Sequence, residues 1–277
     1  MSSKVPPVVL NNGVEMPQLG FGVWQVPDDE AERAVTTALE AGYRSIDTAA
    51  VYGNEAGTGR AVAASGLPRE DVFVTTKLWN ADHGYDAALR AYDVSLAKLG
   101  LDYVDLYLIH WPLAQRDTFV PTYKALEQLY ADGRVRAIGV SNFLPEHLER
   151  LTAETSVIPA VDQIELHPRL QQHAARELHA ELGITTEAWS PLGQGKGLLE
   201  VPAIVAVAQK HNRTPAQVVL RWHVQLGNIA IPKSVTPSRI RENIEVFDFS
   251  LDTEDLAAIG ALNENRRLGP DPATFGT

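Results

Sequence analysis

Eight short β-forming runs, each separated from the next by a helical pattern, constrain this 277-residue chain more than any other feature. The runs end near Val23, Asp47, Lys77, His110, Ser141, Gln163, Trp189 and Lys233. Between them lie amphipathic stretches such as "YDAALRAYDVSLAKLG", in which Leu89, Tyr92, Leu96 and Leu99 share one face and Gly100 suits a C-cap. "TPAQVVLRWHVQLG" carries a capping box, with Thr214 as N-cap, Pro215 at the first helical position and Gln217 at the third. The interval before the eighth run is the longest and is expected to hold an extra helix. Strands joined by helices pair in parallel, and eight is the number that closes a (β/α)8 TIM barrel. A doubly wound open sheet is the alternative with the same alternation. Ahead of the first run, apolar residues flank Asn12-Gly13, which predicts an N-terminal β-hairpin. No linker-like stretch or charge block interrupts residues 1–277, so one domain is expected.

Composition narrows the function. The net charge is −11, from 24 basic and 35 acidic residues, which argues against a nucleic-acid partner because phosphate binding needs a basic surface. A local basic pocket for a small anion remains compatible with it. Cysteine is absent, excluding disulfides, thiolate metal sites and thiol catalysis. The start "MSSKVPPVVL" is too poor in apolar residues for a signal peptide, and no segment reaches membrane-spanning length. A soluble cytoplasmic protein, monomeric and with no membrane partner, is expected.

The C-terminal ends of the runs collect polar residues: Asp47, Lys77, His110, Ser141-Asn142, Gln163, Trp189 and Lys233. In a barrel these ends share one face, where barrel enzymes keep their active sites. Any one of them could simply end a strand, but an acid, a lysine and a histidine on consecutive strands point to a site. A carboxylate at the end of an apolar strand is costly to bury alone, and Lys77, one strand on, is the natural partner of Asp47. Tyr52, five residues after Asp47, could bring its phenol to the same ammonium. A cation at roughly 4 Å with an effective dielectric of ~20 contributes on the order of 4 kcal/mol. That would lower a tyrosine pKa of about 10 by roughly three before desolvation acts in the opposite sense. With His110 donating to the same spot, the group is a proton-donating site for a carbonyl oxygen.

A second stretch, "IPKSVTPSRIREN", places Lys233, Ser234, Thr236 and Arg239 around a helix start at Pro237. This reads as a phosphate site or as an ordinary capped surface helix. "GNEAGTG" is neither a dinucleotide fingerprint nor a P-loop and marks a tight turn into a helix. "GQGKG" lacks P-loop spacing but follows the seventh strand and could fold over a ligand. No H-E-x-x-H occurs, and only His110 and His167 lie near strand ends, so no metal site is expected. Trp24, Trp79 and Trp111 each follow a strand end and together suggest the apolar wall of a pocket.

The motifs "GYRSIDTAAVYGNE", "VTTKLWN", "DLYLIHWP", "IGVSNF", "QIELHP", "EAWSPLGQG" and "IPKSVTPSRIRENIEVFDF" follow one another in an order that resembles the aldo-keto reductases. The resemblance runs from "MPQLGFGVW" to "FDFSLDTEDLAAI" and is nearest to small bacterial members of the 2,5-diketo-gluconate reductase type. It implies a barrel binding NADPH across its C-terminal face without a Rossmann domain. It implies Tyr52 as proton donor, tuned by Lys77 and Asp47, with His110 orienting the carbonyl. Ser141, Asn142 and Gln163 would hold the nicotinamide carboxamide, and Trp189, where the family often has tyrosine, would stack on the ring. Gly193 and Gln194 would line the pyrophosphate. Lys233, Ser234, Thr236, Arg239, Glu242 and Asn243 would hold the 2′-phosphate and adenine. Gly22, Val23, Trp24, Asp47, Ser190, Leu192 and Val235 complete the implied cofactor contacts. Trp24, Tyr52, Trp79, His110 and Trp111 are the implied substrate contacts.

The chain ends soon after "ALNENRRLGPDPATFGT", without the long closing loop of larger members, so an open pocket is expected. The implied activity is NADPH-dependent reduction of aldehydes, ketones or dicarbonyls. The alternatives are an NADPH-binding sensor or structural module, and a Schiff-base aldolase built on Lys77. Asp47 would keep Lys77 charged, which opposes the aldolase.

Overall fold

The Asn12-Gly13 pair does turn a hairpin: β1 (Pro7–Val9) pairs antiparallel with β2 (Glu15–Pro17), and Gly13 takes φ +84°. Leu10 and Met16 pack with Phe73, Val161 and Ile229, the first residues of three barrel strands, so the hairpin caps the N-terminal end of the barrel. The computed structural model describes residues 5–276; residues 1–4, within the start read above for a leader, lie outside the described residues.

Eight parallel strands follow in sequential order: β3 (Phe21–Gly22), β4 (Ser45–Asp47), β5 (Phe73–Leu78), β6 (Val104–Ile109), β7 (Val135–Ser141), β8 (Val161–Glu165), β9 (Thr185–Trp189) and β10 (Ile229–Ala230). The sheet closes on itself, because Leu19 bridges Ala230 and the Gly20 N–H donates to the Ala230 carbonyl at 2.9 Å. The fold is therefore the expected (β/α)8 barrel with an N-terminal hairpin, not an open sheet. Strand ends differ in detail from the sequence reading. β5 runs one residue past Lys77, β8 continues two residues past Gln163, and β10 stops three residues before Lys233. Pro232 has no N–H to continue the ladder after Ile231 has donated to Ala188.

The helices are α1 (Asp28–Ala41), α2 (Glu55–Ala64), α3 (Tyr85–Leu99), α4 (Phe119–Ala131), α5 (Pro145–Glu154), α6 (His173–Leu182), α7 (Pro202–His211), α8 (Pro215–Gln225), α9 (Pro237–Asn243) and α10 (Thr253–Gly260). The long interval holds both α7 and α8, and α8 opens on the reciprocal Thr214–Gln217 cap. α3 ends on Gly100 in the left-handed region, and buries Tyr92 and Leu99 fully but Leu89 and Leu96 only in part. The glycines of "GNEAGTG" serve packing. A Cβ on Gly57 would sit 2.1 Å from the Asp28 carbonyl oxygen, and one on Gly59 1.9 Å from that of Leu99. α2 thus wedges against α1 and the end of α3, which fixes the loop carrying Tyr52. Among the described residues no helix is long and apolar enough to cross a membrane.

Candidate active site

A cavity of about 1180 Å³ opens at the C-terminal ends of the barrel strands. Asp47 ends β4 on its lining, and Lys77 of β5 lies buried behind Asp47. Both side chains are buried, with Lys77 Nζ donating to Asp47 Oδ1 at 2.6 Å and to the Thr48 carbonyl at 3.0 Å. Nζ also lies 5.1 Å from the centre of the Tyr52 ring. The loop holding Tyr52 is clamped by buried Asn54, which accepts from Thr48 Oγ1 and donates to the carbonyls of Val23 and Val26. His110, just past β6, meets Tyr52 edge-on at 5.6 Å between ring centres and Trp79 at 5.3 Å.

Burial works against the Lys77 ammonium, but Asp47, Tyr52 and Glu187 outweigh it and hold its pKa above the ordinary lysine value. Burial pushes the Tyr52 phenol up, and the Lys77 charge only partly offsets it. Spacing left the balance of the two effects open, and burial decides it: part of the ring opens on the cavity, yet the surrounding protein desolvates the phenolate more than the cation stabilises it. Tyr52 therefore holds its proton at neutral pH. Burial, then the Lys77 charge, holds His110 well below the ordinary histidine range, so its imidazole is neutral.

Asn142 braces the opposite wall. Its amide donates to the His110 carbonyl (2.9 Å) and to Ser141 Oγ (3.1 Å), and its oxygen accepts from Trp189 Nε1 (2.8 Å). Asn142, Ser190 and Gln194 all take left-handed backbone conformations (φ +63°, +50° and +54°), strain concentrated at the rim. Gln163 donates from one nitrogen to Asp47 Oδ2 and to Glu187 Oε2, each at 2.8 Å. Buried Glu187 was not singled out in the sequence. Burial and the nearby Asp47 charge push it up to about 8.

Gly22, Trp24, Tyr52, Trp79, Trp111, Ser190, Leu192, Gln194, Lys233, Ser234, Arg239, Glu242 and Asn243 also line the cavity. Val23 and Gly193 are buried beneath this surface, while Val235 and Thr236 are exposed beside it. Lys233 and Arg239 are exposed cations on the wall, and among the described residues no salt bridge involves either. Glu242 accepts from Thr214 Oγ1 at 2.7 Å, joining α9 to the start of α8.

The short C-terminal tail, expected to leave the pocket open, supplies part of its wall. Leu268, Gly269 and Pro270 line the cavity, and Phe275 packs on Trp111 with ring centres 4.3 Å apart. The anchor is Glu165, the buried last residue of β8. Its carboxylate accepts the Leu268 and Gly269 N–H groups at 2.6 and 2.9 Å and faces His167 Nε2 at 3.0 Å. Burial would raise its pKa, but these three donors hold it below the ordinary glutamate value. Glu165 ends the mixed run "VDQIE" and Glu187 lies inside "TTEAW", so neither stands out as Asp47 does at the end of an apolar run.

The protein-family model described as "Aldo/keto reductase family" matches residues 17–264. The chain belongs to that family. Its members are oxidoreductases acting on CH–OH and C=O groups, with NADP(H) as cofactor. This aldo/keto reductase is 60% identical to one from Mycolicibacterium smegmatis and 54% identical to a methylglyoxal reductase from Yersinia pestis, over 98% of both chains in each case. The structure matches an aldo/keto reductase from Brucella melitensis with a TM-score of 0.92 at 55% identity, covering 95% of this chain and 100% of the other. It matches a mutant of Gox0644 solved in complex with NADPH with a TM-score of 0.95 at 48% identity, covering 99% and 100%.

Proposed function

We propose that this chain reduces aldehydes, ketones or dicarbonyls to alcohols with NADPH, using Tyr52 as general acid. The observation that carries this is one continuous cavity with Tyr52, His110 and buried Lys77 at one end and the uncompensated cations Lys233 and Arg239 at the other. That donor set fits an extended nucleotide: a flat indole at Trp189, free amide oxygen on Gln163, and positive charge with Ser234 where a phosphate would end. NADPH, when bound, supplies a hydride to the carbonyl carbon.

The residues do the rest. Tyr52 gives its proton to the developing alkoxide, and Lys77, whose third proton is uncommitted, stabilises the phenolate left behind. Neutral His110 donates a hydrogen bond without adding a charge. Gln163 has both N–H groups committed to carboxyls, so its oxygen is left to accept from a carboxamide. Asn142 holds His110 and Trp189 in place. Trp24, Trp79 and Trp111 shape the substrate end. The relative named methylglyoxal reductase supports 2-oxoaldehydes as a substrate class.

The test is NADPH oxidation at 340 nm with methylglyoxal, phenylglyoxal and a panel of simple carbonyls. Turnover is expected, and Tyr52→Phe should lower kcat at least ~10²-fold while leaving NADPH affinity nearly unchanged. A parent protein that binds NADPH tightly but turns over no carbonyl would replace this reading with a nucleotide sensor.

A further inference from the structure

Glu187 is a fully buried acid in the middle of the charged centre, and nothing in the proposed chemistry uses it. Its Oε2 accepts from Gln163 Nε2 at 2.8 Å, while Oε1 has no partner among the described residues. The same Gln163 nitrogen donates to Asp47 Oδ2 at 2.8 Å, so the two carboxyl oxygens lie within twice that distance of each other. One cation serves both acids, and its bonds go to Asp47 and the Thr48 carbonyl. The groups facing Glu187 are Asp47 from β4, Lys77 from β5, Tyr52 from the loop above and uncharged Gln163 from β8; its pairing residue on β10 is Ile229. His179 is engaged with Asp162 instead. With Asp47 and Lys77 paired, an ionised Glu187 would leave one uncompensated negative charge in the interior. Two carboxylates this close, with one shared cation, resist ionising together. Burial and Asp47 raise its pKa accordingly. Glu187 also lies two residues before Trp189 on β9, on the same side of the strand, and one amide away from the cavity wall.

We propose that Glu187 couples proton binding to the charge of the bound nucleotide: protonated when the cavity is empty or holds NADPH, and ionised when it holds NADP+. This rests on the nucleotide reading above. The balance is enzyme–COOH plus NADP+ giving enzyme–COO⁻·NADP+ plus one proton to solvent, with no bond made to the ligand. The positive nicotinamide supplies the missing compensation, so the acid favours NADP+ more as pH rises. The NADP+/NADPH affinity ratio should shift by roughly 5- to 150-fold over the titration, the usual range of coupling between two sites. Within that window the slope cannot exceed about tenfold per pH unit for one proton.

Titration calorimetry of each nucleotide at pH 7.5, in HEPES and in Tris, counts the protons released. The 2′-phosphate is common to both nucleotides, so its contribution cancels in the difference. The parent should release more protons, up to one, with NADP+ than with NADPH. Glu187→Gln should abolish the excess while Tyr52→Phe retains it. Equal release for both nucleotides in the parent overturns the proposal without needing any variant. Excess release lost in Tyr52→Phe and kept in Glu187→Gln moves the proton to the tyrosine and also overturns it. Failure of both nucleotides to bind removes the nucleotide reading itself, a result distinct from equal release.

Discussion

Replacing Lys77 by methionine keeps most of the side chain's volume and removes the one cation of the buried centre. Asp47, 2% exposed, would keep Gln163 as donor but lose the ammonium at 2.6 Å. Breaking a buried ion pair on one side costs about 3–5 kcal/mol. A chain of 277 residues has an unfolding entropy of about 0.6 kcal/mol per kelvin near 60 °C, so Tm should drop by roughly 5–9 °C. The cause is an orphaned charge, so the loss should shrink when Asp47→Asn is added to Lys77→Met. Scanning calorimetry at fixed scan rate and fixed pH on the parent, the single and the double variant reads both effects. A single variant within about 1 °C of the parent, or a double variant no better than the single, would refute the reasoning. Activity should vanish nearly completely in either variant, because Tyr52 loses the charge that stabilises its phenolate.

Arg239→Ala should weaken NADPH about 10- to 150-fold, the worth of one charge-assisted bond of about 1.5–3 kcal/mol, and weaken NADH much less; fluorescence titration of both nucleotides reads it. Added salt should weaken NADPH more than NADH in the parent, since screening acts on the extra phosphate. Glu165→Gln should loosen the tail, and trypsin should then cut after Arg266 or Arg267 roughly 10-fold faster or more, followed by mass spectrometry. Glu187 binds its proton more tightly folded than unfolded, so its contribution lowers stability as pH rises from about 4.5 towards about 8; Glu187→Gln should flatten that slope in urea unfolding at stepped pH.

The barrel was legible because alternation of strand and helix leaves few architectures, and because polar residues cluster at one set of strand ends. Asp47, Lys77 and His110 stood out as polar endings of apolar runs, and the structure does bring them together. Glu187 and Glu165 lie in the mixed runs "TTEAW" and "VDQIE", where an acid breaks no apolar pattern, and the main-chain N–H partners of Glu165 leave no mark in the sequence. The tail's return was illegible for that reason: the anchor at Leu268 and Gly269 uses groups that almost every residue has. The net direction of the Tyr52 shift was not legible, because Coulomb attraction can be estimated from a spacing, whereas desolvation depends on how completely the loop is enclosed.

Holding the tail by its main chain separates inheritance of the barrel from inheritance of its rim. Every residue except proline offers an N–H, so Glu165 is blind to the side chains it restrains. Positions beyond Pro270 can drift without loosening that grip or disturbing the charges beneath it. Two glycines are exempt from this freedom: at Gly276 (φ +83°) a Cβ would fall 2.4 Å from Leu113 Cδ2. A Cβ on Gly269 would fall 2.5 Å from the Trp189 ring and 3.2 Å from Glu165 Oε2, so any change there is felt by the indole itself. A library confined to residues 271–274, with Glu165, Gly269, Phe275 and Gly276 held constant, would diversify the tail on an unaltered chemical floor.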